Sequence, residues 1–376
     1  MHTVCGTGSS AWRSRTTRTA SSRDLYETCT RPTSCKGVLY NEFVSALQSK
    51  WAVDDEGEVQ DLLGVEISRD KHFVTLKQTA YILKMVANHF VEPPAQSKRN
   101  KLPCDETLPQ MVADALANVD ERSAADIKAY QSLVGALLYA STNTRPDIAF
   151  AVGYLCRAMA KPTPELHDAA LRVLEYLYRT RDIGLRYAHR PGPVDGYSDS
   201  DWATRHSTSG HVFTWNQAAI SWGSRKQGSI ALSSCEAEIM AASEAAKEAV
   251  YLNSFLKELG YASDGPATLK VDNQGAIDLA YNPEFHQKTK HIERRHFYVR
   301  ELVEQMRLTV PYVATVDNLA DFFTKPLSAK VFYPMRDAIM NVPHALREVP
   351  SAQASGHGGV LKEARDAAIS ITPRGG

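Results

Sequence analysis

The feature that most constrains the fold is a change of hydrophobic period near Gly184, followed by one long helix. Between Ser233 and Gly260, residues Ala237, Ala241, Ala245, Ala249, Leu252, Leu256 and Leu259 recur on one face of a helix. A helix of that length with one apolar face needs a partner layer to cover it. Short extended runs at 185–187, 196–198, 210–214 and 218–222, broken by Pro, Gly, Asn or Ser, predict an antiparallel meander that supplies this layer. A strand at 268–271, a helix after it, a basic helical segment at 289–305, a strand at 309–313 and a short helix at 318–323 follow. Together they predict a layered α/β domain, a mixed sheet with helices, over residues 184–328.

The chain upstream reads differently. Residues 1–35 hold Arg13, Arg15, Arg18 and Arg23 among small hydroxyl residues with no period of 2 or 3.6, which predicts a disordered or unrelated arm. A mitochondrial transit peptide shares that Arg and Ser enrichment but would carry an amphipathic stripe, which is missing here. Residues 36–92 read as a small α+β unit. In it, Phe43, Val44, Leu47 and Trp51 form a helical stripe, two strands flank the Arg69-Asp70-Lys71 turn, and a helix covers 80–90. Residues 93–125, with Pro93, Pro94, Pro103 and Pro109, are expected to be a linker. Three apolar-faced helices fill a connection region at 126–183, with Pro146 and Pro164 in first turns. Residues 329–376 are expected to be a largely disordered tail.

Composition narrows the function classes. The 376 residues carry 43 Lys plus Arg against 43 Asp plus Glu, so nucleic-acid binding would need a local basic face. The six cysteines form no C-x-x-C pair and no finger spacing with His, which argues against a zinc module or a disulfide framework and for a reducing compartment. No apolar run approaches a membrane span, and the chain start lacks the apolar centre of a secretory signal. An intracellular protein, cytoplasmic or nuclear, not secreted and without a membrane partner, is the expectation.

Five acids stand at positions that chemistry can use. In Gly196-Tyr-Ser-Asp-Ser-Asp-Trp-Ala203 a strand delivers Asp199 and Asp201 to one face, where two like charges repel unless a cation or water lies between them. Glu236 lies in the first turn of the long helix, three residues after Ser233, which is equally the spacing of a capping box. Asp272 ends an apolar strand before a helix, where ligands collect in layered α/β sheets and where an Asx cap also fits. Asp321 begins or lines the last short helix, a place that also suits a solvated acid near a positive helix end. Oxygen-only ligation without nearby Cys or His suits Mg²⁺ or Mn²⁺, which commonly act on phosphates. Arg225, Lys226, Lys288, Lys290, His291, Arg294, Arg295 and His296 add phosphate-binding chemistry, although a solvated helix face is charged too.

The motifs GYSDSDWA, RHSTSGHVF, AISWGSRKQ, ALSSCEAEIMAASEAAKEAVYL, VDNQGAIDLA, FHQKTKHIERRHFYVREL and NLADFFTKPL resemble, in order and spacing, the ribonuclease H domain of Ty1/copia retrotransposon polyproteins. Upstream, DLLGVEISRD, TLKQTAYILKM and YQSLVGALLYASTNTRPDIAFAVGYLCRAM look like the C-terminal and connection segments of the reverse transcriptase in the same polyprotein. The resemblance implies a ribonuclease H-like fold and hydrolysis of the RNA strand of an RNA/DNA hybrid, leaving a 3′-hydroxyl. It implies two Mg²⁺ ions, with Mn²⁺ as a substitute, held by Asp199, Glu236, Asp272 and Asp321, with Asp201 an outer neighbour. His291, Lys290, Arg225, Lys226, Arg294 and Arg295 would bind substrate, and the remaining Pol and integrase segments would be partners.

Two departures qualify the resemblance. No Tyr-x-Asp-Asp polymerase hairpin occurs, and Trp51-Ala-Val-Asp54-Asp55 imitates one only superficially, so reverse transcriptase activity is not expected. The stretch after Trp202, Ala-Thr-Arg-His206, is several residues shorter than the family's loop and could pull the first two strands of the domain out of register, displacing Asp199. The alternative is therefore a catalytically inactive retroelement remnant, at most a nucleic-acid-binding module.

Overall fold

A computed structural model describes residues 36–52, 57–94, 102–117, 123–189, 192–202, 206–261, 265–281 and 293–347, with the side chains of 36–40, 42 and 293–297 left out. The expected arm at 1–35, the tail beyond Arg347, Asp54-Asp55 and the residues Lys288, Lys290 and His291 lie outside this description.

Two sheets organise the described residues. The first is antiparallel and runs in the order β1 (Asp61–Leu62), β2 (Val65–Arg69), β3 (Phe73–Lys77), β4 (Leu185–Ala188). Its turns follow from local chemistry. Leu63 and Gly64 both take positive φ in the two-residue β1–β2 connection, and Asp70 Oδ1 accepts from His72 N at 2.7 Å and Phe73 N at 2.8 Å in the β2–β3 turn. The fourth strand is a correction to the expected domain boundary. Leu185–Ala188 was expected to open the α/β domain at 184, yet it pairs with β3, Leu76 opposite Leu185 and Phe73 opposite Ala188.

The second sheet is mixed, in the order β7 (Ala218–Lys226), β6 (Thr208–Trp215), β5 (Asp195–Asp201), β8 (Ala267–Lys270), β9 (Leu308–Thr309). The first three strands form the antiparallel meander, and β5 then pairs in parallel with β8, and β8 with β9. Asn216 and Gln217, both at positive φ, make the β6–β7 turn. The feared slip after Trp202 does not occur: β5 and β6 pair without a break from Asp195 opposite Thr214 to Asp201 opposite Thr208. This is the layered α/β class expected for the region.

Alternation along β6 shows how the layers are filled. Phe213 joins a core with α7 (Ser234–Glu258), α8 (Gln274–Tyr281) and α9 (Glu293–Glu304) on one face, whereas Val212 points to the other face and a larger core. That larger core takes in α2 (Thr79–His89), α3 (Leu108–Ala117), α4 (Ala124–Asn143), α5 (Ala149–Arg157) and α6 (Pro164–Arg179). Two expectations fail here for the same reason, an apolar face hidden in a sequence rich in breakers. The supposed linker holds α3, which buries Leu108, Val112 and Ala115, and the supposed tail begins with α10 (Ala329–Met340), which buries Phe332, Tyr333, Ile339 and Met340. The opposite error is smaller: in α1 (Lys36–Gln48) and just beyond it, Phe43 and Trp51 of the expected stripe are exposed.

A buried polar knot fastens the helical region. Arg145 donates from Nε and Nη2 to the two carboxylate oxygens of Asp147 at 2.9 and 2.7 Å, and Tyr176 donates to Asp147 Oδ2 at 2.6 Å. Burial works to raise the Asp147 pKa, but the guanidinium beside it outweighs burial and holds it below the usual carboxylate range. The wholly buried Arg336 of α10 adds its charge to the same knot, so the C-terminal helix is part of the interior.

Candidate metal centre

The ladder between β5 and β8 stops at Tyr197 opposite Lys270. Two residues further along each strand stand Asp199 and Asp272, at matching positions of neighbouring parallel strands just past their last pair. On its other side β8 keeps its partner, Val271 bridging Tyr312 in the register of the β8–β9 pairing, so the ladder ends only between β5 and β8. At that end α7 delivers Glu238. One carboxylate oxygen from each of Asp199, Glu238 and Asp272 lies within 4.8 Å of the others.

Two of the three acids are fixed by their neighbours. Thr324 Oγ1 donates to Asp199 Oδ2 at 2.5 Å, and Glu238 Oε1 accepts from Ser200 N at 3.3 Å and Ser200 Oγ at 3.0 Å. Among the described residues, neither Glu238 Oε2 nor Asp321 Oδ1, both buried, has a hydrogen-bond partner. Buried carboxylate oxygens left bare are costly unless a cation or water completes them. The donor set is all oxygen, without Cys or His, so these residues fit a hard divalent ion.

The field at the site agrees. Burial, then the charge of Asp321, pushes the Asp199 carboxyl up to about 6. Burial, then Asp199, pushes Glu238 up to about 9. Ionised together these carboxylates would repel one another, so without a cation they tend to keep protons that a bound positive charge would release.

Asp321 comes from the 3-10 turn Leu319–Phe323, which Asn318 clamps onto β5 by donating from Nδ2 to Ser198 O at 3.1 Å. The turn also lies hard against β6. A Cβ on Gly210, directly opposite Asp199, would meet Thr324 Cγ2 at 2.6 Å and Ala320 O at 2.9 Å. Asp321 stands close enough to act on Asp199, but it is not one of the three acids that converge. Its Oδ2 is held by Lys325 Nζ at 2.8 Å. Burial works against the Lys325 ammonium, and the contact with Asp321 outweighs it, leaving its pKa above the ordinary value.

No protein-family model matches the chain. Among curated proteins it is similar to the retrovirus-related Pol polyprotein from transposon TNT 1-94 of Nicotiana tabacum, 34% identical over 292 residues, which are 76% of this chain and 22% of that protein. It is also similar to the putative transposon Ty5-1 protein of Saccharomyces cerevisiae, 32% identical over 56% of this chain and 68% of that protein. The chain belongs to the Ty1/copia-type retrotransposon Pol family. It spans about a fifth of the length of the plant Pol polyproteins it matches, 22% of one and 20% of another. Among solved structures, RNase H1 from Halobacterium salinarum NRC-1 is similar over 35% of this chain and 95% of its own, with 17% identity and a TM-score of 0.28.

In this Pol segment the acids that converge differ from the expected set at one position, where Glu238 and not Glu236 stands with Asp199 and Asp272. Glu236 was expected in the ligand set. It lies instead at the start of α7, where its N donates to Ser233 Oγ at 3.1 Å and its Oε2 accepts from Leu232 N at 2.6 Å, so the capping role prevails. Residues two apart on a helix point about 200° from one another, so Glu236 and Glu238 cannot both face the sheet. Glu238 lies one turn before Ala242, Ala245, Ala246 and Ala249, the stripe that packs on the sheet. Carrying that stripe back by four residues would have selected it. Of the basic residues, Arg225 and Lys226 are exposed on β7 opposite Ser209 and Thr208, at the same end of the sheet as Asp201 and two strands away, on the order of 10 Å. Arg294 and Arg295 belong to α9, whose first side chains are outside the described set.

Proposed function

We propose that this Pol segment is a ribonuclease H that hydrolyses the RNA strand of an RNA/DNA hybrid, with two Mg²⁺ ions, or Mn²⁺ in their place, bound through Asp199, Glu238, Asp272 and Asp321. The observation that carries the reading is the convergence of three carboxylates from three separate elements, within 4.8 Å, in a chain of the Ty1/copia Pol family. Divalent ions, when bound, supply an activated water and neutralise charge on the scissile phosphate. The protein's own contribution is positional. Thr324 and Ser200 occupy one oxygen each of Asp199 and Glu238, which fixes both carboxylates and leaves Glu238 Oε2 bare. Arg225 and Lys226 carry exposed positive charge for the hybrid's backbone, and Lys290, His291, Arg294 and Arg295 are proposed to bind the hybrid as well. Recognition of the RNA strand would rest on 2′-hydroxyls in its wide minor groove. The remaining Pol and integrase segments are the proposed protein partners.

The test is direct. Purified full chain with Mg²⁺ is expected to cut an end-labelled RNA/DNA hybrid, and Asp272→Asn to be inactive. Equal cleavage by both would overturn the assignment.

A further inference from the structure

Lys325 is one of the NLADFFTKPL residues to which the hydrolytic reading gives no task, and its surroundings are unusual for a surface lysine. Its Nζ sits 2.8 Å from Asp321 Oδ2; the lysine side chain is 39% exposed, whereas the aspartate is 8% exposed. The ammonium thus reaches in from solvent and ends on a buried acid whose other oxygen, Oδ1, has no hydrogen-bond partner among the described residues. Its charge also acts on Asp199 and Asp272. Residues 324 and 325 divide the work: Thr324 gives Asp199 a neutral donor, and Lys325 gives Asp321 a full charge. Pro326 follows immediately and restricts the lysine backbone to extended conformations.

We propose that the Lys325 ammonium is the resident counter-ion of the acidic centre, keeping Asp321 out of the ligand set until a divalent cation displaces it. Four carboxylates crowded at one sheet end repel in the absence of any cation, and one ammonium relieves part of that repulsion without competing for Asp199, Glu238 and Asp272. The geometry accounts for the split between the three converging acids and the fourth held aside. The same ammonium has an exit, because its stem is already partly in water and can swing outward. This inference rests on the metal-dependent reading above and adds an exchange of cations at Asp321 to it.

Calorimetric titration of Mn²⁺ into the metal-free full chain, paired with melting curves in chelator, tests it. Lys325→Met is expected to bind its weaker Mn²⁺ about tenfold more tightly than the unsubstituted chain and to melt lower when metal-free. Lys325→Arg is expected to behave like the unsubstituted chain, and Lys325→Met is expected to have no effect on Mn²⁺ affinity in an Asp321→Asn background. Unchanged or weaker Mn²⁺ binding by Lys325→Met would overturn the proposal. So would an equal gain in the Asp321→Asn background. If Lys325→Met folds poorly, Lys325→Gln serves the same comparison. Hybrid cleavage by the unsubstituted chain, measured alongside, separates the two readings. Cleavage without a Lys325 effect on Mn²⁺ overturns the exchange alone, and a Lys325 effect without cleavage overturns the nuclease alone.

Discussion

At the scale of single residues, the two glutamates of Ser233-Ser-Cys-Glu236-Ala-Glu238 have opposite duties. Glu238→Gln is expected to lose hybrid cleavage by two orders of magnitude or more, on the order of 3 kcal/mol of transition-state stabilisation. Glu236→Gln is expected to keep most activity and to lower stability by about 1 kcal/mol through the weakened helix start, read from urea unfolding. The raised carboxyls also set a pH dependence. Asp199 at about 6 and Glu238 at about 9 hold protons in the folded state that the unfolded chain has already released near 4. The metal-free protein is therefore most stable below about pH 4 as far as these two groups are concerned, and it loses that contribution as pH rises, Asp199 by about pH 6 and Glu238 by about pH 9. Melting curves in chelator from pH 5 to 9 should fall, and saturating Mn²⁺ should reverse the trend; a flat chelator series would contradict the burial of these acids. Asp199 and Asp272 were legible in the sequence because strand ends announce themselves through apolar runs. Glu238 was not, because the capping spacing of Ser233 and Glu236 is a stronger local signal than a helical stripe traced one turn backward.

At the scale of elements, the fit of one short turn against one strand decides whether Asp321 stands near Asp199. Gly210→Ala would place a methyl group 2.6 Å from Thr324 Cγ2 and 2.9 Å from the backbone oxygen of Ala320. The neighbour is partly backbone and cannot swing aside, so a loss of about 1–3 kcal/mol in unfolding free energy is expected, together with reduced cleavage. If Gly210→Ala matched the parent in both measurements, the packing of this turn on β6 would be wrong. The long helix α7 could be read from the sequence almost to its ends, whereas the strands β5, β6 and β7 were legible in place but not in length, since 196–198, 210–214 and 218–222 cover only part of each. The short helices α3 and α10 could not be read, since four prolines in 93–125 and the Ala, Gly and Ser of the last stretch mask apolar faces that only tertiary contact reveals.

At the scale of the molecule, the region 184–328 has a core of its own on the α7 face of the mixed sheet, but the core on the other face is shared with the rest of the chain. Val212, Ala219, Phe322 and Phe323 of the mixed-sheet region share a core with the connection helices and with α10, and Trp222 and Tyr187 hydrogen-bond across to Ser141 O at 2.9 Å and Ala219 O at 2.6 Å. Ending the chain after Ser328 would uncover positions now filled by Phe332, Tyr333, Ile339 and Met340, each worth about 1.5–3 kcal/mol of burial, a sum comparable to the whole stability of a domain. Such a truncation is expected to be insoluble or to melt well below the full chain, which expression and calorimetry would reveal; an equally stable product would show that α10 is dispensable. The place where the β5–β8 ladder ends has a different consequence, for inheritance. Asp199 and Asp272 are delivered by the matched ends of paired strands, so their separation is set by hydrogen-bonded register and not by the length of any connection. A copy of the element that differs only in the length of the connection between Trp202 and Ser207 is therefore expected to inherit the spacing of these two acids.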